Sequence, residues 1–177
     1  IIIAQHPSIG GYNVYFGHLH NHTGASDGKD TAFKAYPYAR DTGKMDFFGL
    51  AEHDWLIRNG EWDTVQLAAN AFNKDNSFVA FAGVEWSNPD YGHVTVINTT
   101  KIPYYYKAES DNFRDLMVWL NNNNAYGFLN HPGDAEGGGN GFSRFTTIPS
   151  DRILGMELWG KKDGFERFYY NDGFYPN

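Results

Sequence analysis

The chain has 177 residues and a formal net charge of -7 at neutral pH. It contains no cysteine, which excludes disulfide scaffolds, thiolate zinc sites and cysteine nucleophiles. Its basic residues are scattered, and no apolar stretch approaches the ~20 residues that span a bilayer, so we expect no nucleic-acid partner and no membrane span. This length predicts a single domain over residues 1–177.

Short apolar runs alternate with amphipathic stretches along the chain. Helices are expected where apolar residues recur every three or four positions, as they do within 65–72. In chain order the pattern predicts a strand over 12–19, a helix over 31–41 that Pro37 interrupts, a strand over 45–51, a helix over 62–72, strands over 78–84 and 94–97, a helix over 112–120, and strands over 126–129 and 153–158. This alternation favours an α/β domain with a mostly parallel sheet that partly closes into a barrel.

Three histidines occupy alternate positions at the end of the first predicted strand: His18, His20 and His22. Every second side chain of a strand points to the same face, so these imidazoles are expected on one side. Two imidazoles on one face are a common start of a metal site. Asp27 adds a carboxylate in the turn that follows.

The ends of the later predicted strands carry side chains of the same kinds. These side chains are Glu52, His53, Asp54, Glu85, His131 and Glu157. The carboxyl ends of parallel strands converge on one rim, where catalytic groups collect. A lone histidine at a strand end is more often structural, but recurrence over five strand ends indicates a metal-binding rim. Glu157 has two interpretations, as support for a ligand or as a satisfied carboxylate at a sheet edge.

These segments resemble the motifs of the PHP (polymerase and histidinol phosphatase) superfamily, whose first motif is usually Leu-His-x-His-Thr-x-x-Ser-Asp-Gly. The matching segments are, in the expected order, 18–28 (HLHNHTGASDG), 51–54 (AEHD), 83–87 (GVEWS), 92–94 (GHV) and 130–133 (NHPG). The match covers most of the chain. The tryptophan after Glu85 and the asparagine before His131 resemble the branch of exported and carbaryl-hydrolase-like metallohydrolases.

The resemblance implies a distorted (β/α)7 barrel, present here as an incomplete barrel, with two or three divalent ions (Zn, Mn or Fe) on one rim. In this arrangement Glu85 bridges two of the ions, and His18 orients a ligand. The implied metal ligands are His20, His22, Asp27, His53, Glu85, His93 and His131.

One departure from the superfamily pattern concerns the C-terminal side of the chain. The late Asp-x-His motif is missing, since no histidine follows Glu157. A β/α barrel also needs about 250 residues. We therefore expect the chain to be a fragment whose C-terminal part is missing.

Such a site favours hydrolysis, because ions bridged by Glu85 lower the pKa of a bridging water toward neutrality. The expected function is hydrolysis of phosphomonoester or phosphodiester bonds in a small substrate by a metal-bridging hydroxide. One alternative is a carbamate or carboxylic ester metallohydrolase, which the tryptophans at 55, 86 and 159 favour. The other alternative is a non-catalytic glycan-binding domain with a remnant metal site.

Two further residues, Asp54 and Arg144, are candidates for catalysis. Asp54 has three open roles: it orients His53, acts as a general acid, or caps a helix. Arg144 has two, contact with an anionic substrate or a solvated surface charge. An aromatic content of 18% and the branch resemblance suggest an extracellular or cell-surface protein.

Overall fold

The structure, a computed structural model, describes residues 8–132, 142 and 150–157. The chain forms two compact units, residues 1–52 with 57–82, and residues 53–56 with 83–177. The predictions for Arg144, Trp159 and the glycine-rich loop at 137–141 lie outside the described residues. The prediction of a single domain stays a prediction. In the part of the chain that is described, no helix is long and apolar enough to cross a membrane.

The first unit begins with a short antiparallel hairpin of β1 (Ser8–Ile9) and β2 (Tyr12–Asn13). Its two-residue turn places Gly10 and Gly11 at φ 59° and 85°, the left-handed region that glycine enters without steric cost. The predicted strand over 12–19 is therefore interrupted. Its second part is β3 (Gly17–His18), which belongs to a different sheet.

The main sheet of the first unit is parallel, as the alternating pattern predicted. Its order is β3, β4 (Phe47–Gly49) and β6 (Val79–Phe81). Helix α1 (Ala32–Pro37) follows β3, and α2 (Glu61–Phe72) precedes β6. Parallel neighbours require such long crossover connections, because a tight turn reverses the chain.

Pro37 changes the character of the first predicted helix instead of ending it. The α-helix stops at this residue, and the chain continues as a π-helical turn over Tyr38–Thr42. Proline has no N–H to donate within the helix, which favours a local change of hydrogen-bond pattern at this point.

Tyr36 on α1 forms the centre of the core of this unit. Its side chain is fully buried, and its ring lies 6.1 Å from that of Phe48 and 6.3 Å from that of Phe72. The hydroxyl donates a 2.8 Å hydrogen bond to the carbonyl oxygen of Phe81. Burial raises the pKa of Tyr36, so the hydroxyl stays protonated and remains a donor.

The second unit contains a sheet of mixed direction. Its order is β10 (Ile153–Met156), β9 (Tyr126–Leu129), β8 (Gly92–Ile97), β7 (Gly83–Asn88) and β5 (Glu52–His53), of which only His53 belongs to this unit. The β10–β9 pair is parallel, whereas β9–β8 and β8–β7 are antiparallel. The prediction of a mostly parallel sheet is therefore wrong for this unit. The link at 89–91 is too short for a crossover connection and forces β7 and β8 to run in opposite directions.

The predicted strand over 78–84 is two strands in the structure. It divides at Ala82 into β6, in the sheet of the first unit, and β7, in the sheet of the second. Glu85 is consequently the third residue of a six-residue strand and does not follow a strand end.

The hairpin of β7 and β8 has one polar and one apolar face, although nearly all of it is buried. Paired residues share a face and successive residues alternate, so Glu85 and Ser87 lie on the face that holds Thr95 and His93. The opposite face packs into an apolar core against helix α3 (Phe113–Asn122). The residues of this core are Trp86, Val94, Val96, Phe113, Leu116, Met117, Trp119, Leu120, Ala125, Leu129 and Phe142.

Candidate metal centre

A buried carboxylate surrounded by imidazoles forms the centre of the polar face in the second unit. The Glu85 side chain is 1% exposed, and its Oε2 lies 2.8 Å from His53 Nδ1. Its Oε1 lies 3.2 Å from His93 Nδ1 and 3.3 Å from His131 Nε2. Each histidine comes from a different segment: β5, β8 and the end of β9. The fold thus brings together all four metal ligands predicted within this unit.

The spacing of these atoms fits a shared cation. Two ligands about 2.0–2.2 Å from one ion at a tetrahedral angle lie about 3.3–3.6 Å apart, and both Oε1–imidazole distances are close to the lower end of this range. Nδ1 of His93 is buried and takes part in no hydrogen bond among the described residues. Buried polar atoms usually have a partner, and an ion bound between His93 Nδ1 and the Glu85 carboxylate would supply one. One carboxylate and two imidazoles suit Zn, Mn or Fe.

Glu85 is held in place by neutral donors as well as by histidines. The Asn130 amide donates a 2.7 Å hydrogen bond to Glu85 Oε1, and the Thr95 hydroxyl donates to the Asn130 carbonyl oxygen at 2.9 Å. All three side chains are fully buried. These two hydrogen bonds fix the orientation of the Glu85 carboxylate, as a metal ligand requires.

His53 is oriented by a hydrogen bond to Ser87 and by its proximity to the Glu85 carboxylate. Its Nδ1 contacts both Glu85 Oε2 and the Ser87 hydroxyl oxygen, at 2.8 Å each, while Ser87 Oγ donates to the Glu85 carbonyl oxygen. These contacts favour the tautomer with its proton on Nδ1, which places the imidazole lone pair on Nε2.

Asp54 is a fully buried carboxylate next to the metal-ligand cluster in sequence. It accepts hydrogen bonds from the backbone N–H groups of Ser87 (3.2 Å) and Tyr105 (2.7 Å). Burial raises its pKa to about 6, although these donors act in the opposite direction. It does not cap a helix, because α2 begins seven residues later with Gly60 as its N-cap. Its catalytic role stays a prediction.

His131 has a strained backbone with φ 27°, in a region that L-residues seldom adopt. The Glu157 carboxylate accepts the backbone N–H of His131 at 2.6 Å, and the Glu157 N–H donates to the Leu129 carbonyl oxygen. Of the two interpretations of Glu157, these contacts match the first, support for a predicted ligand.

The first unit carries a second group of predicted ligands. The Nε2 atoms of His20 and His22 lie 3.1 Å apart, again a spacing that fits two ligands of one ion. Asp27 is exposed, and its Oδ1 lies 3.6 Å from His22 Nδ1. His18, expected to orient a ligand, is exposed at the end of β3. Assignment of all seven residues as metal ligands stays a prediction.

One important residue of this first group was not assigned a role from the sequence. Glu52 is fully buried and accepts hydrogen bonds from the N–H and hydroxyl of Thr23 and from the hydroxyl of Ser26. Ser26 Oγ also lies 3.5 Å from His22 Nδ1. Glu52 therefore stabilises the loop that presents His22. In the sequence, the only indication of this role is that Glu52 lies within the motif segment 51–54, directly before His53.

Gly28 closes the same loop. Its N–H donates to the Thr23 carbonyl oxygen at 2.8 Å, and a Cβ at this position would collide with the backbone of His22 and Thr23. Only a residue without a side chain permits this close approach.

The sequence matches no protein-family model and none of the curated proteins. Two solved bacterial structures share its fold. A two-domain protein from Bacteroides vulgatus, which contains a predicted PHP-like metal-dependent phosphoesterase, has a TM-score of 0.56 at 21% identity over 83% of this chain. A protein from Bifidobacterium adolescentis, itself assigned by prediction as a metal-dependent phosphoesterase, has a TM-score of 0.52 at 14% identity over 86% of this chain.

The matches cover 42% of the first structure and 80% of the second, so this chain spans less than half of the two-domain protein. At these identities the likeness concerns the fold. The resemblance to the PHP superfamily is thus confirmed at that level: the chain is a mixed α/β protein similar in structure to PHP-like metal-dependent phosphoesterases, and it carries a histidine and glutamate cluster that fits a metal site.

Proposed function

We propose that the chain is a metal-dependent hydrolase of the PHP superfamily that cleaves phosphomonoester or phosphodiester bonds. The observation that carries this proposal is the buried carboxylate of Glu85 among three imidazole nitrogens at 2.8–3.3 Å. In this proposal the chain is an incomplete (β/α)7 barrel, and the metal centre has two or three ions.

The proposed ligands are those of the sequence analysis. Glu85, His93 and His131 offer one carboxylate oxygen and two nitrogens to an ion in the second unit, and His20 and His22 offer two nitrogens in the first. Bound divalent ions would supply Lewis-acid polarisation of the phosphoryl oxygens and lower the pKa of a water molecule. Zn, Mn and Fe all suit this donor set.

The chain's own residues position these ligands. Asn130 fixes one carboxylate oxygen of Glu85, Ser87 fixes the His53 ring, and Glu157 holds the backbone of His131. Of the roles left open for Asp54, we favour orientation of His53 through Ser87. Asp54 accepts the backbone N–H of Ser87, and the Ser87 hydroxyl contacts His53 Nδ1. Binding of an anionic substrate by Arg144 and an extracellular or cell-surface location are further parts of the proposal.

The first test is metal content by mass spectrometry after loading with Zn, Mn or Fe and removal of unbound ions. We expect at least one equivalent per chain, reduced by at least half in Glu85→Gln. Glu109→Gln is the matched control, because it makes the same change at an exposed glutamate of the same unit and should leave the stoichiometry unchanged. Equal metal content in Glu85→Gln and the unsubstituted chain would refute the site.

The second test compares turnover of aryl phosphates, bis-aryl phosphates, aryl esters and aryl carbamates by the metal-loaded chain. We expect hydrolysis of a phosphoester that Glu85→Gln does not catalyse. Turnover of the ester or carbamate alone would instead support the carboxylic ester alternative. Absence of all turnover together with measurable oligosaccharide binding would support the glycan-binding alternative.

A further inference from the structure

The three tryptophans that the sequence analysis connected with a possible ester substrate have different environments. Trp86 is fully buried in the apolar core, and its indole N–H donates to the Ser110 carbonyl oxygen at 2.7 Å. It therefore has a structural role. Trp55, by contrast, is 54% exposed, and its ring centroid lies 6.2 Å from that of His53. Trp159 lies outside the described residues.

The carboxylate of Asp54 joins Trp55 to a second aromatic segment. Asp54 accepts the backbone N–H of Tyr105 at 2.7 Å, and Trp55 directly follows Asp54 in the chain. Both segments are thus attached to one buried group beside His53. Tyr106, the residue after this anchor, is 58% exposed.

The tyrosine segment is held in one conformation by its own contacts. The rings of Tyr104 and Tyr106 lie 5.3 Å apart, and the Lys107 ammonium lies 4.5 Å above the Tyr104 ring. The Tyr104 carbonyl oxygen accepts hydrogen bonds from the Lys107 N–H and from the Ser110 hydroxyl. Contacts of this kind lower the entropy that a loop loses when it binds a ligand.

We propose that Trp55, Tyr104 and Tyr106 form an aromatic rim beside His53 that binds a ring in the organic part of the substrate. A single exposed aromatic side chain is ordinary on a protein surface. Here, however, two exposed aromatic segments are fixed to the same buried carboxylate, next to a predicted metal ligand. Aromatic faces stack on flat apolar rings, which aryl groups and sugars share. This inference rests on the proposed function and names its substrate class, phosphoesters of ring-bearing alcohols.

The test compares two non-hydrolysable phosphonates by isothermal titration calorimetry on the metal-loaded chain. Phenylphosphonate and methylphosphonate share the anionic group and differ in the ring. We expect phenylphosphonate to bind about fivefold to tenfold more tightly, as a stacked aromatic contact allows. This preference should be lost in Trp55→Ala and reduced in Tyr106→Ala, with Trp55→Phe intermediate. Tyr38→Ala, which removes a 68% exposed tyrosine from the first unit, should keep it.

Equal affinity for the two phosphonates in the unsubstituted chain, or a preference that survives both alanine substitutions, would overturn the aromatic rim. A preference that depends on Trp55 in a chain that hydrolyses no phosphoester would support the rim and overturn the proposed function. Comparison of KM for glucose 1-phosphate and for phenyl phosphate then shows whether the rim favours a sugar or an aryl group. Trp55→Ala should raise KM for the favoured substrate and leave KM for methyl phosphate, which has no ring, unchanged.

Discussion

Substitution of Glu52 tests whether a buried carboxylate outside the predicted ligand set holds the His20–His22 loop. Glu52 accepts hydrogen bonds from the backbone N–H of Thr23 (3.0 Å to Oε1, 3.1 Å to Oε2) and from the hydroxyls of Thr23 and Ser26 at 2.5 Å each. Glu52→Ala removes every one of these acceptors, whereas Glu52→Gln keeps one oxygen. Ser26 can then accept a hydrogen bond from the new amide, because its hydroxyl rotates.

The magnitude follows from these donors. A hydrogen bond to a charged group contributes about 1.5–3 kcal/mol, and a buried N–H left without an acceptor costs about 1–3 kcal/mol. Hydroxyls that turn to other acceptors recover part of the loss. We therefore expect Glu52→Ala to lower the free energy of unfolding by about 3–5 kcal/mol and Glu52→Gln by about 1–2 kcal/mol. In a chain of this length, about 2–4 °C in Tm corresponds to 1 kcal/mol.

Urea unfolding followed by far-ultraviolet circular dichroism measures this loss. Asp75→Ala is the control, since it removes an exposed carboxylate from the same unit and should change stability by less than about 0.5 kcal/mol. We also expect metal affinity to fall about 10–100-fold in Glu52→Gln, the usual effect of losing a group that orients a ligand. A Glu52→Ala protein within about 1 kcal/mol of the unsubstituted chain would refute the assigned role.

Three further substitutions have specific expected results. An ion at one hundred times its Kd should raise the free energy of unfolding by about 2.7 kcal/mol, and Glu85→Gln should abolish this increase. Thermal melts with and without metal measure the effect, and an equal increase in both proteins would contradict the site. Gly28→Ala should reduce metal stoichiometry because its methyl group collides with the backbone of His22, and unchanged metal content would contradict this. Asn112→Ala should lower stability by about 1 kcal/mol, since Asn112 accepts the N–H of Asp115 as the N-cap of α3, and chemical denaturation with no loss would contradict it.

Much of the secondary structure could be predicted from periodicity. Helix α2 differs from the predicted 62–72 by one residue at its start, and β9 matches 126–129. In both segments the apolar pattern within a few neighbouring residues is enough to predict the element. The proximity of Glu85, His93 and His131 was also expected, from the family motifs and from converging strand ends. The structural cause is different for the first two, because an antiparallel hairpin places Glu85 and His93 on one face.

The parts that could not be predicted depend on long-range pairing. The apolar run over 78–84 contains no polar residue or proline to mark the division at Ala82 between two sheets. The role of Glu52 was hidden because its donors, Thr23 and Ser26, lie 26–29 residues earlier in the chain. Such contacts leave no periodic signal, and only the three-dimensional structure brings them together.

The two-faced hairpin of β7 and β8 also limits how this protein can change in evolution. Since side chains alternate, one residue inserted into or deleted from either strand moves Glu85 or His93 toward the apolar core and brings Trp86 or Val94 to the polar face. Changes in length should therefore be tolerated at the turn over 89–91 or in steps of two residues. A scan of single insertions across 83–97 should return metal-binding proteins from the turn and unfolded or metal-free proteins from the strands.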